Sequence, residues 1–185
     1  MTKKLGFFLF LFFLLLALLF SLGIPRRDVH HLAQVAGVAL DYENGRIKAT
    51  FEFYAPSVEQ PIGAQRKVLI CYGETIESCV KEAEKLQGKE LFMKNASVLI
   101  LGDERLLEAV RRYYCKFIND RTDLPIYFTV GQAAGTVFNG EGEVVSDQLD
   151  AASRHCRLRY TVLDMLNGKK GYVYIKGEGG FELVS

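Results

Sequence analysis

The hydrophobic pattern of the chain changes character once, near residue 24. From Leu5 to Leu22, eighteen successive positions carry no charge and are mostly Leu and Phe, interrupted by Gly6, Ala17 and Ser21. As a helix at about 1.5 Å per residue this run spans about 27 Å, close to the hydrocarbon thickness of a bilayer. Beyond it, stretches of period two and of period three to four alternate, as in strands and helices packed around one core. The pattern therefore predicts a signal-anchor or transmembrane helix over residues 1–24 and one extracytoplasmic domain over 25–185.

Within the domain, Leu32 to Asp41 is small and apolar and reads as a strand. Asn44-Gly45 then marks a tight hairpin, because both turn positions tolerate positive φ. In the strand from Arg46 to Ala55, Ile47, Ala49, Phe51 and Phe53 alternate with Lys48, Thr50, Glu52 and Tyr54, which predicts one buried and one wetted face. Pro56 to Arg66 reads as a loop and Lys67 to Tyr72 as a short strand. A helix follows with Thr75 as N-cap, an apolar stripe of Ile76, Cys79, Val80, Ala83 and Leu86, and Gly88 at its end. Ser97 to Leu101 is a continuous apolar run, as in a central strand covered on both sides.

A second helix is predicted from Glu104 to Ile118 with Leu106, Leu107, Val110, Tyr114 and Phe117 inward. A strand is predicted over Ile126 to Val130, a short helix over Gln132 to Phe138, and a turn at Asn139 to Gly142. Ser146 reads as the cap of a long helix from Asp147 to Leu166, with Leu149, Ala152, Cys156, Tyr160, Leu163 and Leu166 inward and Asn167-Gly168 at its end. Tyr172 to Lys176 and Phe181 to Val184 flank a glycine-rich hairpin. About six strands interleaved with about four helices predict an α/β (α+β) domain, a mixed sheet with helices packed on it.

Charge adds an orientation. Lys3 and Lys4 ahead of the apolar run place its start inside, and Arg26 and Arg27 beyond it weaken that bias. The run is longer than the apolar core of about 7–15 residues in a secretory signal, and Ser21 and Gly23 make a poor cleavage site, so a retained anchor is expected. Setting Lys3 and Lys4 apart from the 23 Lys and Arg leaves 21 against 22 Asp and Glu, a nearly neutral outer domain with no basic stripe for nucleic acid. Cys71, Cys79, Cys115 and Cys156 have neither zinc-knuckle nor Cys-x-x-Cys spacing. Buried thiols are the expectation, with a disulfide as the alternative.

Catalytic signatures are not in evidence. His30 and His31 are adjacent, so their rings do not converge, and His155 has no partner at i+4. Gly177-Glu178-Gly179-Gly180 is not followed by Lys-Ser/Thr or by a helix, and no Gly-x-Ser-x-Gly elbow occurs. The Asn95-Ala96-Ser97 triplet runs into a buried strand. No enzyme activity, cofactor or metal is expected.

Pro25-Arg26-Arg27-Asp28-Val29-His30-His31-Leu32-Ala33 and the following Val35 to Asp41 resemble the start of mature Ger(x)C-type proteins, the C subunits of GerA-type spore germinant receptors. Those chains open with Cys-Trp-Asp-Arg-Arg-Glu, then a Leu-Ala strand and a Gly-x-Gly-x-Asp turn. Here Arg26-Arg27-Asp28 stands for Arg-Arg-Glu, Gly37 and Asp41 fit the turn, and Ala39 replaces its other glycine. Gly73-Glu74-Thr75-Ile76 with Ala83, Leu91-Phe92 to Gly102-Asp103-Glu104, Asn119 to Asp123 with Arg121, and Gly131-Gln132-Ala133-Ala134 continue the likeness in order over residues 25–170.

The resemblance implies a non-enzymatic, membrane-held part of a nutrient germinant receptor. Its partners would be the membrane-embedded A and B subunits and the lipid bilayer, and its place the inner spore membrane. Arg26, Arg27 and Asp28 would contact a partner or the membrane interface. Family members carry a lipobox cysteine, whereas no Cys occurs between Met1 and Ile70 here, and their chains run on through two further domains. The rival expectation is a small anchored cell-envelope module, unrelated to spores, that binds a peptide or small ligand.

Overall fold

The computed structural model describes residues 6, 10–16, 31–54, 66–117, 121–139, 145–156, 158–176 and 182–184. The chain divides into two units, Met1–His30 and His31–Ser185. In the first, residues 10–16 are helical. Among the described residues no helix is long and apolar enough to cross a membrane, and most of the Leu5–Leu22 run lies outside them.

Eight strands are described in the second unit: β1 (Leu32–Glu43), β2 (Arg46–Tyr54), β3 (Arg66–Gly73), β4 (Glu90–Phe92), β5 (Val98–Leu101), β6 (Ile126–Thr129), β7 (Tyr174–Lys176) and β8 (Glu182–Val184). The sheet order is β3-β2-β1-β5-β6-β7-β8, and β4 pairs with the start of β1. β1, β5, β6 and β7 run parallel, while β1/β2, β2/β3 and β7/β8 are antiparallel. The mixed α/β sheet expected from the pattern is therefore present, with β4 as a strand the periodicity did not reveal. Asn44 (φ 52) and Gly45 (φ 77) form the predicted β1–β2 hairpin.

Four α-helices are described in this unit: α1 (Ile76–Gln87), α2 (Leu106–Lys116), α3 (Val145–Cys156) and α4 (Val162–Leu166). α1 forms because Thr75 and Ser78 close a reciprocal capping box at its start and Gly88, at φ 64, ends it left-handed. It buries Ile76, Cys79 and Ala83 on β2 and β3, and α2 packs beside it. The other face of the sheet is covered by α3 and by the 3-10 helix Ala134–Asn139, which contact β1. Gly37 permits that contact: a Cβ there would stand 2.9 Å from the Phe138 ring and 3.1 Å from Ser146 Cβ. A bulge between Val35 and Gly37 bends β1 at the same place.

Several expectations are corrected. The face of β2 read as wetted is covered in its middle, where Thr50 and Glu52 are buried: the 3-10 helix lies against β2, and Tyr54 Oη donates to Asp147 of α3 at 3.0 Å. The long helix expected over 147–166 is two helices. Between them the backbone pairs with the segment leading into β6: Ile126 N donates to Tyr160 O at 2.7 Å and Val162 N to Leu124 O at 3.0 Å. Thr161 then caps α4 through Asp164. Ser146 is inside α3 and buried rather than capping it. Leu86, Phe117, Cys156 and Leu163, expected inward, are exposed. The Pro56–Arg66 loop, the 139–142 turn and the glycine-rich 177–180 segment lie wholly or mostly outside the described residues.

Candidate functional site

β1 leads through its hairpin to β2 and β3 on one side, whereas β5, β6 and β7 succeed one another on the other. The carboxyl ends of β1 and β5 thus flank the point where strand order reverses, the usual crevice of an open α/β sheet. A cleft of about 390 Å³ opens there, lined by Asp41, Lys48, Gly102, Asp103, Arg105 and Gln132 among others. A second groove of about 450 Å³ lies between α1 and α2 over Tyr42, Ile47 and Tyr113. Arg105, 5.7 Å above the Tyr42 ring, separates the two.

Asp41 holds the cleft together. β1 carries its carboxylate under the 3-10 helix, where Ala134 N donates to Oδ1 at 2.6 Å and Gly135 N to Oδ2 at 2.9 Å. These are otherwise unsatisfied donors of a helix start, and an ionised acceptor makes the stronger kind of bond. The approach requires glycine on both sides. A Cβ at Gly102 would overlap Asp41 Oδ1, and one at Gly135 would stand 2.6 Å from Thr50 Oγ1 and 3.4 Å from Asp41 Oδ2. Three chain segments are thereby locked to one carboxylate.

The charged groups around the cleft are paired. Lys48 meets Glu43 at 2.9 Å, and Arg105 grips Asp103 through Nε at 2.8 Å, with a further bond from the Arg105 backbone N–H. Those bonds hold the Asp103 carboxyl below the usual carboxylate range. In the neighbouring groove Lys116 pairs with Glu77 at 2.7 Å and Arg112 with Glu108 at 3.1 Å. Among the described residues no His, Cys, Asp and Glu group could hold a metal. Burial pushes the thiols of Cys71 and Cys79 up to about 11, and all four cysteines are free. Cys115 and Cys156 are exposed, against the expectation of burial. Such a site can position a segment or a ligand by shape and paired charge.

Of the residues singled out from sequence, Asp41 and Gly102 meet directly and Gly37 lies on the same face of β1. Arg121 is elsewhere: it bonds Asp123 at 2.6 Å and the Ala96 carbonyl at 3.2 Å, beside the amino end of β5. Arg26, Arg27 and Asp28 lie outside the described residues. Sequence reading missed Gly135, Thr50 and Arg105; the small-residue run Ala133-Ala134-Gly135 was the available signal.

Comparison with known proteins agrees with the resemblance. No curated protein and no solved structure matches the chain significantly. The family described as "Spore germination protein N-terminal domain" matches residues 25–141, more than half of the chain and the part that contains Gly37, Asp41, Gly102 and Arg121. By that match the chain belongs to the spore germination protein N-terminal domain family.

Proposed function

We propose that the chain is a non-enzymatic, membrane-anchored component of a spore germinant receptor, assembled with membrane-embedded A and B subunits. The family match over residues 25–141 carries this reading. The uncharged run from Leu5 to Leu22 supports a retained helix as the anchor, with the domain outside the cytoplasm and the spore's inner membrane as its place. The helix takes over the role that a lipid on a lipobox cysteine has in the family. Arg26, Arg27 and Asp28, next to the run, are the proposed contacts to a partner or to lipid headgroups.

The paired charges around the Asp41 cleft support a docking role rather than chemistry. Family membership favours this reading over an envelope module unrelated to spores. Deleting the gene is expected to abolish germination of the spores in response to the nutrient that this receptor serves, with recovery on return of the wild-type copy. Unchanged germination on every nutrient tested, or a host that never forms spores, contradicts the reading.

A further inference from the structure

β3 is one edge of the sheet among the described strands. Tyr72 N donates to the Glu82 side chain at 3.0 Å, so this N–H points away from β2. Because donors alternate along a strand, Ile70 and Val68 present their backbone groups to the same open side. Their side chains share the face of Thr50 and Glu52, their partners on β2 being Glu52 for Val68 and Thr50 for Ile70. Ile70 and Tyr72 are 44% and 41% exposed, and Leu86, on the helix behind the edge, is 60% exposed. An open edge with an apolar face is a template for strand addition.

We propose that β3 pairs antiparallel with β3 of a second copy of this chain, joining the two sheets across a two-fold axis at Ile70. The reason for a second copy is that the segment Arg66-Lys67-Val68-Leu69-Ile70-Cys71-Tyr72-Gly73-Glu74 is self-complementary in this register. Ile70 opposes Ile70, and Val68 opposes Tyr72. The residues with outward N–H groups, 68, 70 and 72, all fall in hydrogen-bonded pairs, so the edge donors and acceptors are satisfied reciprocally, as a two-fold interface requires. Glu82, on an exposed turn of α1, yields the Tyr72 N–H to the Val68 carbonyl of the second copy. Its carboxylate then faces the turn of the opposing α1 that carries Lys85.

The test uses the full chain, in mild detergent if it partitions into membranes, with Cys115→Ser and Cys156→Ser as background. Ile70→Cys is expected to give a disulfide-linked dimer on mild oxidation, because directly paired residues bring their Cα atoms within the span of a disulfide. Val130→Cys, equally exposed but away from the edge, is the control. Light scattering is expected to show a two-fold fall in protein mass for Ile70→Pro, which removes an outward N–H and leaves the β2 ladder intact. A control mass equal to a monomer, or cross-linking of Ile70→Cys no greater than that of Val130→Cys, overturns the proposal. The Ile70→Lys variant guards against misfolding by proline and must also be monomeric.

Discussion

Asp41 and Gly102 were both legible in the sequence as positions of a family motif, yet their contact was not. Asp41 lies on β1 and Gly102 just past the end of β5, and nothing in the spacing says that one carboxylate needs the other residue to lack a side chain. The structure supplies the reason, because Asp41 must reach past Gly102 to the Ala134 and Gly135 N–H groups. Asp41→Ala is expected to lower stability by about 2–4 kcal/mol, since it removes two charge-assisted bonds and leaves their donors buried. Gly102→Ala, by expelling the carboxylate, is expected to lower it by about 1–3 kcal/mol. The two changes are coupled, so in the Asp41→Ala background Gly102→Ala should drop below about 1 kcal/mol. Urea unfolding of the four proteins measures this, and simple additivity would contradict the shared contact. Glu52 and Thr50 teach the converse: polar residues alternating with apolar ones imply solvent only until another element covers them.

At the scale of elements, period and caps located most strands and helices. β2, β5 and α1 follow from their patterns because local chemistry fixes them: a two-residue turn at Asn44-Gly45, a four-residue apolar run, and the Thr75 cap with Gly88. The break between α3 and α4 was hidden because Tyr160 O and Val162 N take backbone partners at Ile126 and Leu124, remote in sequence. The packing of α1 on β3 makes a further prediction. Cys71 and Cys79 lie buried between these elements, and with pKa values raised to about 11 they remain protonated thiols at pH 8. A thiol-exchange reagent at that pH should titrate Cys115 and Cys156 rapidly and the other two only after unfolding. Four fast thiols in the folded chain would contradict the packing, and fewer than four after unfolding would reveal a disulfide.

For the whole molecule, the sheet of the second unit brings the carboxyl ends of β1 and β5 together where strand order reverses, and Asp41 clamps that end. The α/β class was readable from interleaved periods; the sheet order was not, because β4 is three residues long and the pairing of β1 with β5 spans α1. Family membership extends over the Asp41 clamp, and the proposed role adds to it an N-terminal membrane helix and two membrane partners. The most direct measurement is affinity capture of the C-terminally tagged full chain from mildly solubilised membranes of sporulated cells, followed by mass spectrometry of everything retained. An intact N-terminus that includes Leu5 to Leu22 is expected, together with the A and B subunits of one germinant receptor. Recovery of a soluble form beginning near Ile24, or of the membrane-held chain without either subunit, would contradict the proposed role.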